Sequence, residues 1–125
     1  MKITVAHVAS ICHEAHRALC KALGQPIPPP WQEAAYWMQQ NALINASFKI
    51  DHPGAGVGGS HDHWVEVMTG YGWRSGPKDP EAKTHPSLVP FHDLPPDQKV
   101  KDAQFTAICE ALGPHVRRGE QREAA

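Results

Sequence analysis

The sequence predicts an all-α fold, with about four helices arranged around one long structured loop. Three observations lead there. Apolar residues recur at three- and four-residue steps in several segments, the spacing that gives a helix one buried face. No run alternates apolar and polar residues long enough for more than a minimal strand pairing near Trp73 or Leu88-Val89. The stretch from Tyr71 to Asp102 holds too much Gly, Pro and charge for one helix, yet Trp73, Leu88, Val89, Phe91 and Leu94 punctuate it like anchors. Long loops inside a small domain tend to be functional or disordered, and the anchors argue against disorder.

The first helix collects Ile3, Val5, Val8, Ile11, Cys12, Ala15, Leu19 and Leu23, with Thr4 to cap it and Gly24 and Pro26 to stop it. Residues 25–30 then form a stiff connector, because proline removes amide donors and clashes with a preceding turn. Pro30 is placed to open a second helix with Trp31, Ala34, Ala35, Met38, Ala42 and Leu43 inward, ending near Asp51-His52 before Pro53. Gly54 to Gly59 reads as a flexible connector. It lacks the buried strand before it and the lysine after it that a phosphate loop needs. Ser60 is placed to cap a third helix from His61 to about Thr69, closed by Gly70 and Gly72, with Trp64, Val67 and Met68 as its apolar side. Asp93 is placed to cap a fourth, opening at Pro95-Pro96 and ending at Gly113-Pro114, with Val100, Phe105, Ile108, Cys109 and Leu112 inward. No internal repeat stands out.

The chain's 125 residues make one domain, placed at 1–113, with an N-terminal helical half at 1–53, a core at 60–112 and a frayed tail at 114–125. A net charge of -1 gives no support to nucleic-acid backbone binding. No apolar run is long enough to span a membrane. The start, MKITVAHVAS, passes directly into the amphipathic pattern, and the three cysteines are an odd count. Together these point to reduced thiols in a cytoplasmic protein.

One register in the central loop resembles a known family. Gly72-Trp73, Gly76-Pro77, Asp79, Lys83, His85-Pro86, Leu88-Val89-Pro90-Phe91, Leu94-Pro95, Lys99 and Asp102 closely resemble the repeat domain of ryanodine receptors, the RyR domain. The match runs from about Ser60 to Leu112 and includes Trp64. More loosely, Ile11-Cys12-His13-Glu14-Ala15 and His52-Pro53 look like the leading segment of short stand-alone RyR proteins of bacteria and phages.

The resemblance implies a compact helical unit that binds a small anionic, aromatic ligand without catalysis. The implied ligand is nucleotide-derived: an adenine nucleotide, a cyclic nucleotide or an ADP-ribose-type signal, sensed or sequestered in conflict between phage and host. Carried over residue by residue, Trp64 matches a ligand-stacking tryptophan and Lys78 a basic position near the ligand. His85, Ser87 and Asp102 match positions lining the cleft, with Ser87 standing where a basic residue can occur. Channels use two repeats to close that cleft, so a homodimer or the N-terminal half would supply the second face here.

Each of these residues also has a plainer reading. Trp64 on a short helix is ordinarily core, and Trp73, inside the strongest motif, is expected to be a core anchor. Lys78 and Lys83 beside Asp79 make an ordinary surface charge cluster, with Asp79 capping the turn through Lys83 or pairing with a lysine. Cys12, His16 and Cys20 share one helical face, but that face is the apolar one, so buried thiols explain them and no metal or cofactor is expected. His-Glu-Ala-His at 13–16 misses the zinc-protease spacing by one residue. A protein-interaction module and a hydrolase of a nucleotide-like compound are the alternatives to ligand binding.

Overall fold

The computed structural model describes residues 2–116. Four helices carry the fold: α1 (Val5–Ala22), α2 (Tyr36–Asp51), α3 (Gly56–Gly70) and α4 (Pro96–Leu112). A two-residue parallel pair, β1 (Arg74–Ser75) and β2 (Thr84–His85), sits in the central loop. One-turn 3-10 helices occupy Trp31–Glu33, Pro53–Ala55, Phe91–Asp93 and Gly113–His115. The class is mainly helical, as the periodicity predicts. α2 and α4 each pack against the other three helices. Val8, Ala9, Cys12, Ala46, Ile50, Cys109 and Val116 form the shared core.

α1 begins and ends where its sequence says. The Thr4 hydroxyl accepts from the His7 amide at 3.0 Å, and His7 Nδ1 accepts from the Thr4 amide at 3.1 Å, a reciprocal cap with histidine in the usual place of Glu or Gln. At the other end the Gly24 amide donates to the Lys21 carbonyl and the Gln25 amide to the Cys20 carbonyl at 2.9 Å. That closure requires Gly24 at φ +69°. Gly24→Ala is therefore expected to cost about 1 kcal/mol, read from the midpoint of urea unfolding.

The prolines of the connector have no amide to donate, and α1 supplies donors to their carbonyls. Arg17 Nε donates to the Pro28 carbonyl at 2.9 Å, and His13 Nε2 to the Pro29 carbonyl at 2.7 Å. The Glu14 carboxylate takes the Trp31 amide at 3.0 Å and the Arg17 guanidinium at 2.6 Å. Both bonds hold its acidity stronger than usual, the Trp31 amide contributing most.

Four expected boundaries need correction. The second helix does not start at Pro30: Ala34 and Ala35 are extended, and α2 opens at Tyr36. Trp31 is held by Glu14 of α1, while its carbonyl accepts from Gln39 of α2, so the chain makes one 3-10 turn before the helix proper. The glycine segment is no connector, since α3 already begins at Gly56 and Ser60 lies inside it. Phe91 packs beside Gly58, 3.7 Å from where a Cβ there would stand. Asp93 does not cap α4. It sits in the preceding 3-10 turn, and Pro95 takes the cap position, its carbonyl accepting from Gln98 and Lys99. Order also continues past residue 113: Val116 is buried and pairs in parallel with Ile3. The rest of the expected tail, 117–125, lies outside the described residues.

The joints before α2 and α4 are the same device used twice. Pro30 and Pro90 share φ -56°, with ψ 155° and 148°. Each is followed by an aromatic residue, a polar residue and an acid in one 3-10 turn. A buried residue in extended conformation comes next, Ala34 or Leu94. No motif in the sequence suggests this, because only a proline, an aromatic ring and an acid are common to the two copies.

Two features of the core depart from the hydrophobic pattern. Lys49 is only 1 % exposed, with Nζ donating to the Pro53 carbonyl at 3.1 Å at the C-terminal end of α2, where positive charge is favoured. Val100, expected inward, is 51 % exposed. All three cysteines are free and buried. Cys12 and Cys109 meet through a side-chain hydrogen bond in the core, which together with burial drives the Cys12 thiol well above its ordinary value.

Candidate functional site

The central loop is tied down from several sides. Leu88 and Leu94 are buried, whereas Val89 and Phe91 are half-buried. Asp79 Oδ1 accepts from the amides of Glu81 and Ala82, fixing the turn as its sequence suggests. Lys83 takes φ 57° and donates Nζ to the Tyr71 carbonyl, so no lysine–Asp79 pair is needed to explain the turn. Gly76 allows a close approach beside the strand pair, since a Cβ there would lie 3.1 Å from Thr84 Cβ.

α3 and the loop bring most of the five expected ligand residues together. The ring of Trp64 meets His85 edge-on at 5.4 Å between centroids and lies 5.6 Å from His61. Trp64 is half-buried rather than an open platform. His85 Nδ1 accepts from the Ser87 amide at 3.0 Å, which assigns the proton of the neutral ring to Nε2. Burial first, and the Lys78 charge second, hold His85 below its ordinary pKa, so it is neutral at pH 7 and offers a donor. The Lys78 charge acts on His16 of α1 as well, as does that of Lys101 on α4. The Lys78 charge therefore reaches both His85 of the loop and His16 of α1, while Lys101 Nζ donates to Gln25 Oε1. Ser87 joins this group through its backbone amide.

Asp102 stands behind this layer. His61, 5 % exposed, donates Nε2–H to the Val89 carbonyl at 2.7 Å, leaving Nδ1 facing Asp102 Oδ2 at 3.5 Å. That carboxylate oxygen is buried without a hydrogen-bond partner, and burial raises its pKa against the pull of His61. Asp102 thus lies beside the histidine that holds the loop. His85 presents no spare basic nitrogen, since its Nδ1 is taken by the Ser87 amide and its Nε2 carries the proton, and Nδ1 of His61 lies on a residue only 5 % exposed. The arrangement can bind acceptors and anions, and it is poorly made for abstracting protons.

A second feature escaped the sequence reading. Between α2 and the loop lies a cavity of about 540 Å³ lined by Tyr36, Trp37, Gln40, Asn41, Ile44, Met68, Tyr71, Trp73, Pro80 and Lys83. Trp73 is therefore a half-buried wall of a cavity, its ring 6.0 Å from that of Trp37, and not the core anchor expected of it. The available signal was the Tyr36-Trp37 pair, two large aromatics outside the apolar stripe of their helix. Among the described residues no group of three or more His, Cys, Asp or Glu is arranged to hold a metal ion. None of the helices is long and apolar enough to cross a membrane.

Comparison with models of known protein families, with curated proteins and with solved structures found no match to this chain.

Proposed function

We propose that this protein is a non-enzymatic RyR-type domain that binds a small nucleotide-derived ligand, sensing or sequestering it. The observation that supports the reading is the edge-on meeting of the half-buried Trp64 indole with His85, a neutral donor that feels the Lys78 charge. A ring stacks or wedges on the indole, while an anionic group meets Nε2–H of His85 and the Lys78 ammonium. The ligand classes follow from the resemblance in the central loop: adenine nucleotides, cyclic nucleotides or ADP-ribose derivatives. The use of such a ligand in conflict between phage and host, and a homodimer that closes the site, belong to the same reading.

A thermal-shift screen across these compounds tests it. A native-state ligand at 100 times its Kd adds about 2.7 kcal/mol, enough to move the melting temperature by several degrees. Lys78→Ala and Trp64→Ala are expected to remove the shift. Lys78 is exposed, so its variant should retain the parent melting temperature without ligand. A flat response to every compound sinks the proposal and favours an interaction module, and release of product in the mixtures favours the hydrolase.

A further inference from the structure

We propose that the contact between His61 and Asp102 is a proton-operated latch on the central loop: one proton taken up between His61 Nδ1 and Asp102 Oδ2 holds the segment around Val89 in place, and its loss loosens that segment. The inference concerns the loop itself and does not rest on the ligand reading.

The bond at the other ring nitrogen fixes the proton count. The Val89 carbonyl can only accept, so Nε2 of His61 carries a hydrogen in its 2.7 Å bond to that oxygen. In the neutral ring Nδ1 is then a bare lone pair, and it lies 3.5 Å from Asp102 Oδ2. An ionised carboxylate oxygen likewise only accepts. Two acceptors thus stand side by side away from water, with His61 5 % exposed and Oδ2 buried without a hydrogen-bond partner. Thr106, one turn further along α4, does not supply the missing donor, since its own Oγ1 is buried and unpaired. One added proton turns this repulsion into a hydrogen bond, as imidazolium with carboxylate or as imidazole with carboxylic acid. Both forms hold the same number of protons, so the latch titrates as a pair.

The surroundings leave the pair to itself. On α3 the Trp64 ring stands 5.6 Å from the imidazole, and in the loop Phe91 stands 6.1 Å from it. His85 meets the Trp64 ring edge-on. Lys99 of α4 donates to the His92 carbonyl and lies over the Phe91 ring. Among the described residues His61 is the charge that acts on Asp102, and burial outweighs its pull and raises the Asp102 pKa. A folded state that takes up a proton more readily than the unfolded chain gains stability as the pH falls and loses it as the pH rises. The latch therefore closes on the acid side of neutrality and opens on the alkaline side, in the imidazole range.

The test follows amide hydrogen exchange by NMR in the whole chain without ligand, at pH 6.0 and 8.0, with the intrinsic pH dependence of exchange divided out. The reporter is the Leu88 amide, which donates to the His85 carbonyl next to Val89. In the parent its protection should be greater at pH 6.0 by about fivefold or more. His16, His63 and His85 are all depressed, so they act in the opposite sense and cannot supply this gain. In Asp102→Asn the carboxamide offers an N–H to Nδ1 at every pH, so protection should stay high and flat. If that variant does not fold, the parent alone decides. The nitrogen resonance of His61 Nδ1, assigned through contacts with Trp64 and Phe91, must then move from bare acceptor to hydrogen-bonded in step with Leu88 protection. Equal protection at both pH values overturns the proposal. So does a pH dependence that survives in Asp102→Asn, or one that proceeds while Nδ1 stays a bare acceptor. No ligand enters the measurement, so its failure is distinct from failure of the nucleotide proposal.

Discussion

His61→Ala is expected to lower the unfolding free energy by about 2–4 kcal/mol, measured by urea denaturation at pH 7.5. The cost does not come mainly from lost apolar area. The imidazole donates to the Val89 carbonyl and lies beside the buried Asp102 Oδ2, so its removal strands the carbonyl and leaves a carboxylate that already lacks a hydrogen-bond partner without its neighbouring ring. Replacing Asp102 with leucine in the same background should return part of the loss, because one stranded oxygen goes with it. The loop from Leu88 to Phe91 hangs from this contact. The single variant should therefore also weaken any ligand response that depends on Trp64 and His85. A loss under about 0.5 kcal/mol would show that the loop is held by Leu88 and Leu94 alone.

A second large effect is set by pH. His16 is driven down to about 4, by burial above all, then by the charges of Lys101, His13 and Lys78. The folded state keeps the ring neutral, whereas the unfolded chain takes up a proton below its ordinary 6.5. Stability is thus complete above pH 6.5, falls as the pH drops toward 4 and levels off below that. The gap bounds the loss near 3 kcal/mol, and partial solvent access to the ring reduces the expectation to about 1–2 kcal/mol. Asp102 acts in the opposite direction, since its raised pKa favours the folded state as acid protonates it. Urea unfolding at pH 7.5 and 4.5 should therefore show a smaller difference in His16→Gln than in the parent. An equal difference in both would assign the acid sensitivity to the other depressed histidines, His63 and His85.

The helices were legible where local chemistry decides. Thr4 and Gly24 bracket α1 through backbone rules that need no tertiary partner, and Asp79 fixes its own turn. Boundaries failed where a distant residue overrode the local preference. Trp31 is claimed by Glu14, seventeen positions away, and Gly58 of α3 lies against Phe91 of the loop, thirty-three positions away. The candidate residues were legible as a group through their register in the loop, but their layering was not. Asp102 and His85 both look like ligand groups in sequence, and only the His61 contacts place one behind the other. Trp73 shows the same limit: a tryptophan in a strong motif can equally wall a cavity or fill a core.

The repeated joint at Pro30 and Pro90 carries a consequence for how the molecule is divided. Each joint links a helix pair, α1 with α2 and α3 with α4, so the chain is two helical hairpins of related design. The halves differ in what precedes the joint: a short proline strap in the first, a long looped insert with its own strand pair in the second. The Trp64 cluster sits at the elaborated joint, with α1 of the plainer hairpin bringing His16 within reach of the Lys78 charge. The symmetry is broken where the Trp64 cluster gathers. A short joint suffices to link the first pair, so the added length of the second one is not needed for that purpose.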